Sequence, residues 1–181
     1  MIICKERQIG IFLVPKTGTT TLYSLFRSIP VFHKDHSHTN FLQSRNNVDI
    51  ANFDSYKFYA FYRDPVERFV SCVDETLKLR NVDITISKFI SDCKDRMHIL
   101  SVGYMPQTYW FDHQIDLTLL DYAKYEENVK FLLNLFGVNN IQVPKLNAAK
   151  DKRELTEQDR VNIREIYSSD YDFFERRGIL L

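Results

Sequence analysis

The chain has 181 residues, 44% hydrophobic and 27% charged, a length and balance that suit one globular domain with a buried core. Lys plus Arg and Asp plus Glu stand at 24 each, so no global field favours nucleic acid or an anionic membrane, and an anion site must be local. Three cysteines (Cys4, Cys72 and Cys93), odd in number and without a CxxC pair, support neither a disulfide framework nor a zinc ribbon.

Neither a secretion signal nor a run of ~18 apolar residues is present, and the expectation is a cytoplasmic protein with no membrane partner. Repeats, low-complexity segments and linkers are absent too, and residues 1–181 are expected to form a single domain. The run Ile9-Gly10-Ile11-Phe12-Leu13-Val14 reads as a buried strand. It leads into Pro15-Lys16-Thr17-Gly18-Thr19-Thr20-Thr21, a turn with one glycine and a hydroxyl-rich entry to a helix. Leu22, Leu25, Phe26 and Ile29 carry that helix toward Pro30. A helix start presents unpaired N–H groups and a partial positive charge, so this junction can receive an anion. The plainer alternative is that the threonines only cap the helix.

Residues 31–52 break into a polar segment, HKDHSHTN then SRNN, expected to be mostly loop with a short helical piece. Lys57–Tyr62 reads as a second buried strand. Asp64-Pro65-Val66-Glu67 follows as a helix start, with Asp64 as cap, Pro65 at the first helical position and Glu67 completing a capping-box pattern. Val66, Phe69, Val70, Val73 and Leu77 form the apolar stripe, and Ile86 to Met97 marks a further helix. The aromatic stretch between His98 and His113 is irregular. Leu117–Tyr122 reads as a strand, Val129 to Phe136 as a helix closed by Gly137, and residues 141–143 as a short strand. Thr156 caps a last helix, followed by an aromatic tail with Tyr171, Phe173 and Phe174. Strands alternating with helices argue for a parallel α/β sheet whose ligands sit at the carboxyl ends of strands.

Two junctions after strands thus carry cations and hydroxyls: Lys16 with its threonines, and Arg63 with Arg68 and Ser71. Arg68 and Ser71 lie three apart and share a helix face. Together the segments suit a ligand with two separated anionic groups.

These motifs resemble the sulfotransferase family that uses 3′-phosphoadenosine-5′-phosphosulfate (PAPS). Its 5′-phosphosulfate loop, Pro-Lys-[Ser/Thr]-Gly-[Ser/Thr]-[Thr/Ser], is matched by Pro15 to Thr20. Its 3′-phosphate motif, Arg-[Asn/Asp]-Pro-x-x-Arg-x-x-Ser, is matched by Arg63, Asp64, Pro65, Arg68 and Ser71. Thr21-Leu22 after the loop is closer to the carbohydrate branch than to the cytosolic aryl branch, which has a Trp there. Downstream, Tyr104-Met105-Pro106-Gln107 resembles the Pro-Gln segment on the acceptor side. Leu146-Asn147 with Lys150, Lys152 and Arg153 resembles a loop closing on the nucleotide, and Ile166-Tyr167 with Asp170-Tyr171 and Phe174 resembles the terminal helix.

The resemblance implies a P-loop NTPase-like three-layer fold, with a central mainly parallel sheet flanked by helices. It implies sulfuryl transfer from PAPS to an acceptor hydroxyl, on a carbohydrate, with no metal. Lys16 and the amides of Thr17, Gly18, Thr19, Thr20 and Thr21 would bind the phosphosulfate and stabilise the leaving phosphate. Arg63 and Ser71 would hold the 3′-phosphate, and Lys150 and Lys152 would complete the cofactor site. A base is still needed, and His38 is favoured, then His36, with His33 a further candidate, because imidazole titrates near neutrality. His33, Asp35, His36 and His38 could instead bind zinc, but no Cys partner or H-E-x-x-H helix supports it. Two rival functions stand beside this one. An ATP-dependent kinase would require the Walker pattern GxxxxGK[ST], which is absent. A non-catalytic nucleotide-binding or interaction domain would lack the base.

Overall fold

The apolar runs around Ile11 and Tyr59 lie side by side as parallel strands, β2 (Ile9–Phe12) and β4 (Lys57–Tyr62). On the far side of β4 runs β5 (Leu117–Asp121), also parallel, and the Leu117–Tyr122 expectation is met to within one residue. The computed structural model describes all residues except 28, 30–31, 35–37, 39, 41, 45–51, 97–100, 112–114, 139–141 and 145–152. Among the described residues the sheet has the order β3-β1-β2-β4-β5 and is open and mixed. β1 (Ile2–Cys4) forms an antiparallel hairpin with β2 and pairs on its other edge with β3 (Phe32–Lys34). Residues 31–52 are expected to be mostly loop with a short helical piece, and a helical turn is present at residues 42–44. Three others, Phe32–Lys34, instead pair with β1, because backbone hydrogen bonding to an open edge does not require apolar side chains.

Among the described residues the longer helices are α1 (Thr19–Phe26), α2 (Pro65–Arg80), α3 (Ile86–Cys93), α4 (Tyr125–Leu135), α5 (Glu157–Ile166) and α6 (Ser168–Arg176). α1 ends at Phe26, short of Pro30. α2 begins where its caps predict: Asp64 accepts from the Glu67 N–H at 2.9 Å, and Pro65 is the first helical residue. α5 has a full capping box between Thr156 and Asp159. Past Leu135, Gly137 takes φ 72° and stops α4. The aromatic tail is itself a helix, α6, with Phe173 and Phe174 buried. Of the residues 141–143, only 142 and 143 are described, and they are not strand.

The chain divides into two compact units, Met1–Arg63 with Trp110–Ala148, and Asp64–Tyr109 with Ala149–Leu181. In the first unit, both faces of the sheet are buried, which is why its strands read as continuous apolar runs. Ile2, Cys4, Ile11, Tyr59, Phe61 and Leu120 pack with Leu22 and Phe26 of α1 and with Val129, Leu132 and Leu133 of α4. Phe12 and Phe58, at 5.3 Å between ring centroids, belong to the opposite face with Phe111 and Phe53. Gly10 is required there, because a Cβ would lie 2.5 Å from the Phe58 ring.

In the second unit α2, α3 and α5 share one core, built on Phe69, Val73, Leu77, Phe89, Ile90 and Ile163. Arg153 braces it from the start of the described C-terminal stretch. Its Nε donates to Asp74 at 3.1 Å, and its Nη1 donates to the Ile84 carbonyl at 2.7 Å. No helix among the described residues is long and apolar enough to cross a membrane.

Candidate functional site

In the first unit, parallel neighbours bring the residues that follow β2, β4 and β5 to one end of the sheet. The turn after β2 is built from within. Buried Thr17 donates its hydroxyl to the Val14 carbonyl at 2.8 Å, closing the turn beneath Lys16. Lys16 has φ 67° and Gly18 φ 81°, so two left-handed residues reverse the chain within four positions. Gly18 is the N-cap of α1, and no side chain caps the helix there. The plain capping role for Thr19 to Thr21 is therefore not what these threonines do. Among the described residues, none accepts from the Thr19 or Thr20 N–H, whereas the Thr21 and Leu22 N–H groups donate to the Gly18 carbonyl. The start of α1 thus keeps the polarity of an anion site.

The threonines divide by position. Thr20 is exposed and Thr19 half-buried, while Thr17 and Thr21 are buried and serve the turn itself. Arg63, directly after β4, donates from Nη1 to the Lys16 carbonyl at 3.3 Å and lies 4.7 Å over the Tyr122 ring. Lys16 and Arg63 are therefore brought to one locality, as the two strand ends predict.

His38 joins them. Its Nδ1 stands 2.7 Å from the carbonyl of Leu13, the residue after β2 that leads into the turn. A carbonyl can only accept, so Nδ1 is the donor in this bond, and Nε2 is the ring nitrogen left to exchange a proton. The ring also meets Trp110 edge-on, with 6.0 Å between centroids. Leu13 and Trp110 thus set both the donor nitrogen and the tilt of an exposed imidazole.

Two residues of this locality escaped the sequence reading, Tyr122 and Tyr125. Tyr125 donates its hydroxyl to the Gly18 carbonyl at 2.6 Å. Burial pushes its phenol well above the usual range, against the opposing pull of hydrogen bonds with Thr21 and Leu22. The signal for both was present: Asp121 caps the turn after β5 by accepting from the Ala123 N–H, just as Asp64 caps α2 after β4. A third strand-to-helix junction deserved the same reading as the first two.

The remaining expected residues fall elsewhere. Ser71 is half-buried on α2 in the second unit. His33 lies in β3, where its backbone pairs with Ile3. His36, Lys150 and Lys152, like Asp35, His98 and His113, lie outside the described residues.

Arg68, matched by the same motif as Arg63, has a different setting. It is wholly buried in the second unit, with Nη1 donating to the Gly103 carbonyl at 2.7 Å and Nη2 to the Met105 carbonyl at 2.6 Å. Tyr167 stacks against the guanidinium and donates its hydroxyl to the Tyr104 carbonyl at 2.8 Å. The buried Asp170 accepts from the Gln107 and Thr108 N–H groups at 2.8 and 2.9 Å. Arg68, expected to share a helix face with Ser71, is thus a clamp on residues 103–108, and three motif residues meet on the segment that resembles the Pro-Gln stretch.

Comparison with family models gives no match to this chain, and comparison with curated proteins gives none either.

Proposed function

We propose that this chain is a sulfotransferase that moves the sulfuryl group of PAPS to an acceptor hydroxyl, on a carbohydrate, using a P-loop-like three-layer fold. The observation that carries the reading is that Arg63 bonds the Lys16 carbonyl and His38 Nδ1 the Leu13 carbonyl, both just past the end of β2. The phosphosulfate lies against Lys16 and the first amides of α1. The acceptor oxygen attacks sulfur in line, forming the new O–S bond as the bond from sulfur to the phosphate oxygen breaks. His38 Nε2 takes the acceptor's proton, and 3′-phosphoadenosine-5′-phosphate (PAP) leaves with the added charge stabilised by Lys16 and the turn amides. Arg63 serves the nucleotide's anionic groups; Ser71 is assigned to the 3′-phosphate by its motif alone.

Calorimetric titration with PAP, ATP and ADP tests this. PAP should bind in the micromolar range, independently of Mg²⁺ and more tightly than ATP or ADP. Tighter binding of ATP with Mg²⁺ would replace the reading with a kinase. Binding of none of the three would leave an interaction module.

A further inference from the structure

We infer that Tyr125 is a positioning residue that holds the Lys16–Thr21 turn in its anion-receiving shape, acting on Gly18 through both its ring and its hydroxyl. The inference rests on the reading of that turn as the phosphosulfate site. A Cβ at position 18 would stand 2.4 Å from Tyr125 Cε2 and 2.6 Å from Cζ, so the ring fills the space that glycine leaves open. The backbone there is already confined to glycine-like conformations by its φ of 81°. The Gly18 carbonyl takes the Tyr125 hydroxyl at 2.6 Å together with the Thr21 and Leu22 N–H groups at 3.1 and 3.2 Å. Those two N–H bonds open α1, so the phenol grips the atom from which the helix starts.

Tyr125 is itself held. It opens α4, and its ring lies 4.9 Å from Phe61 of β4 and 5.3 Å from Tyr122. The turn is therefore closed on itself by Thr17 and tied to the sheet by its own strand and by a tyrosine 107 residues away in sequence. Filling the space beside Gly18 would need only a phenylalanine. The hydroxyl adds a directional bond, which fixes the Gly18 peptide plane and with it the direction of the amides that follow. An anion then meets donors already aimed, and binding does not have to order them.

Tyr125→Phe removes that bond and keeps the ring. The test compares calorimetric affinities of wild type and Tyr125→Phe for PAP and for adenosine 3′-phosphate, which lacks the group that would occupy the turn. The expected result is about tenfold weaker PAP binding, with adenosine 3′-phosphate changed by less than about twofold. Partial unfolding of the variant would weaken both ligands alike, so the ratio isolates the turn. Unchanged PAP affinity, or equal loss for both ligands, overturns the role of Tyr125. Inorganic pyrophosphate separates the two readings: if wild type binds it but not PAP, the nucleotide reading fails. The positioning role is then judged by whether Tyr125→Phe weakens pyrophosphate binding about tenfold. Wild type binding neither ligand overturns both.

Discussion

Lys16 and Arg68 come from two motif segments of similar make, each a cation beside a helix start, yet they occupy opposite kinds of surroundings. Lys16 is half-buried on a turn with no side-chain cap and an exposed Thr20. Arg68 is wholly buried, and two of its nitrogens are committed to backbone carbonyls at 2.7 and 2.6 Å. Arg63, the motif partner of Arg68, reaches the Lys16 carbonyl at 3.3 Å, a longer and weaker bond. The contrast shows that a motif can join residues of different employment. One cation can exchange its carbonyl for a ligand, whereas the other holds a core segment in shape.

The sharpest way to break this contrast is to remove each cation and measure both stability and transfer. Lys16→Ala should abolish sulfuryl transfer while shifting the unfolding free energy by less than about 0.5 kcal/mol. Arg68→Met keeps much of the side-chain volume but removes the donors to the Met105 carbonyl and, Cys72 Sγ aside, to the Gly103 carbonyl, and should cost about 2 kcal/mol in a denaturant titration. If Arg68→Met unfolds like wild type and Lys16→Ala does not, the two roles are reversed. A smaller effect is expected at the base. His38→Ala should lower transfer by at least tenfold, about 1.4 kcal/mol, with little change in PAP affinity. Full activity in that variant would move the proton to another acceptor.

The smallest effect concerns a cap in the second unit. Burial of Asp159 opposes its ionisation, but hydrogen bonds from Thr156 and Ser87 outweigh this and hold its carboxyl below the usual range. A carboxylate lowered on folding contributes stability above its unfolded pKa of about 4 and loses it as pH falls through the lower folded value. Asp159→Asn should cost about 1 kcal/mol at neutral pH, with the difference from wild type shrinking as the solution is acidified below about pH 4. A difference that is constant with pH would mean that the charge of Asp159 contributes nothing.

Local chemistry was the legible part of this chain. Asp64, Pro65, Thr156 and Gly137 act through neighbours within a few residues, so the sequence shows the helix ends they make. The strands β2, β4 and β5 could be read because each is an apolar run. β1 was harder: three residues, Ile2–Cys4, are too few for a period, and its identity depends on the hairpin through Gln8, which takes φ 52°. α6 was read as a tail because an aromatic-rich stretch fits a helix or a packed loop equally well. In the candidate site, Lys16 and Arg63 were legible from their junctions. The link from His38 to Leu13 spans 25 residues and that from Tyr125 to Gly18 spans 107, and such contacts leave no local pattern. The role of Arg68 was hidden for a related reason. Charge suggests solvent until the partner carbonyls, 35 and 37 residues on, are known.

Each compact unit is assembled from two separate stretches of chain, which has a consequence for synthesis. β4 is made early, but its parallel neighbour β5 begins only at Leu117, after much of the second unit has left the ribosome. Through that interval one edge of Lys57–Tyr62, an aromatic strand, has its hydrogen-bonding groups unmatched. Nascent chains of this protein are thus most prone to self-association between the synthesis of Tyr62 and that of Asp121, and a chaperone attending them has that window to cover.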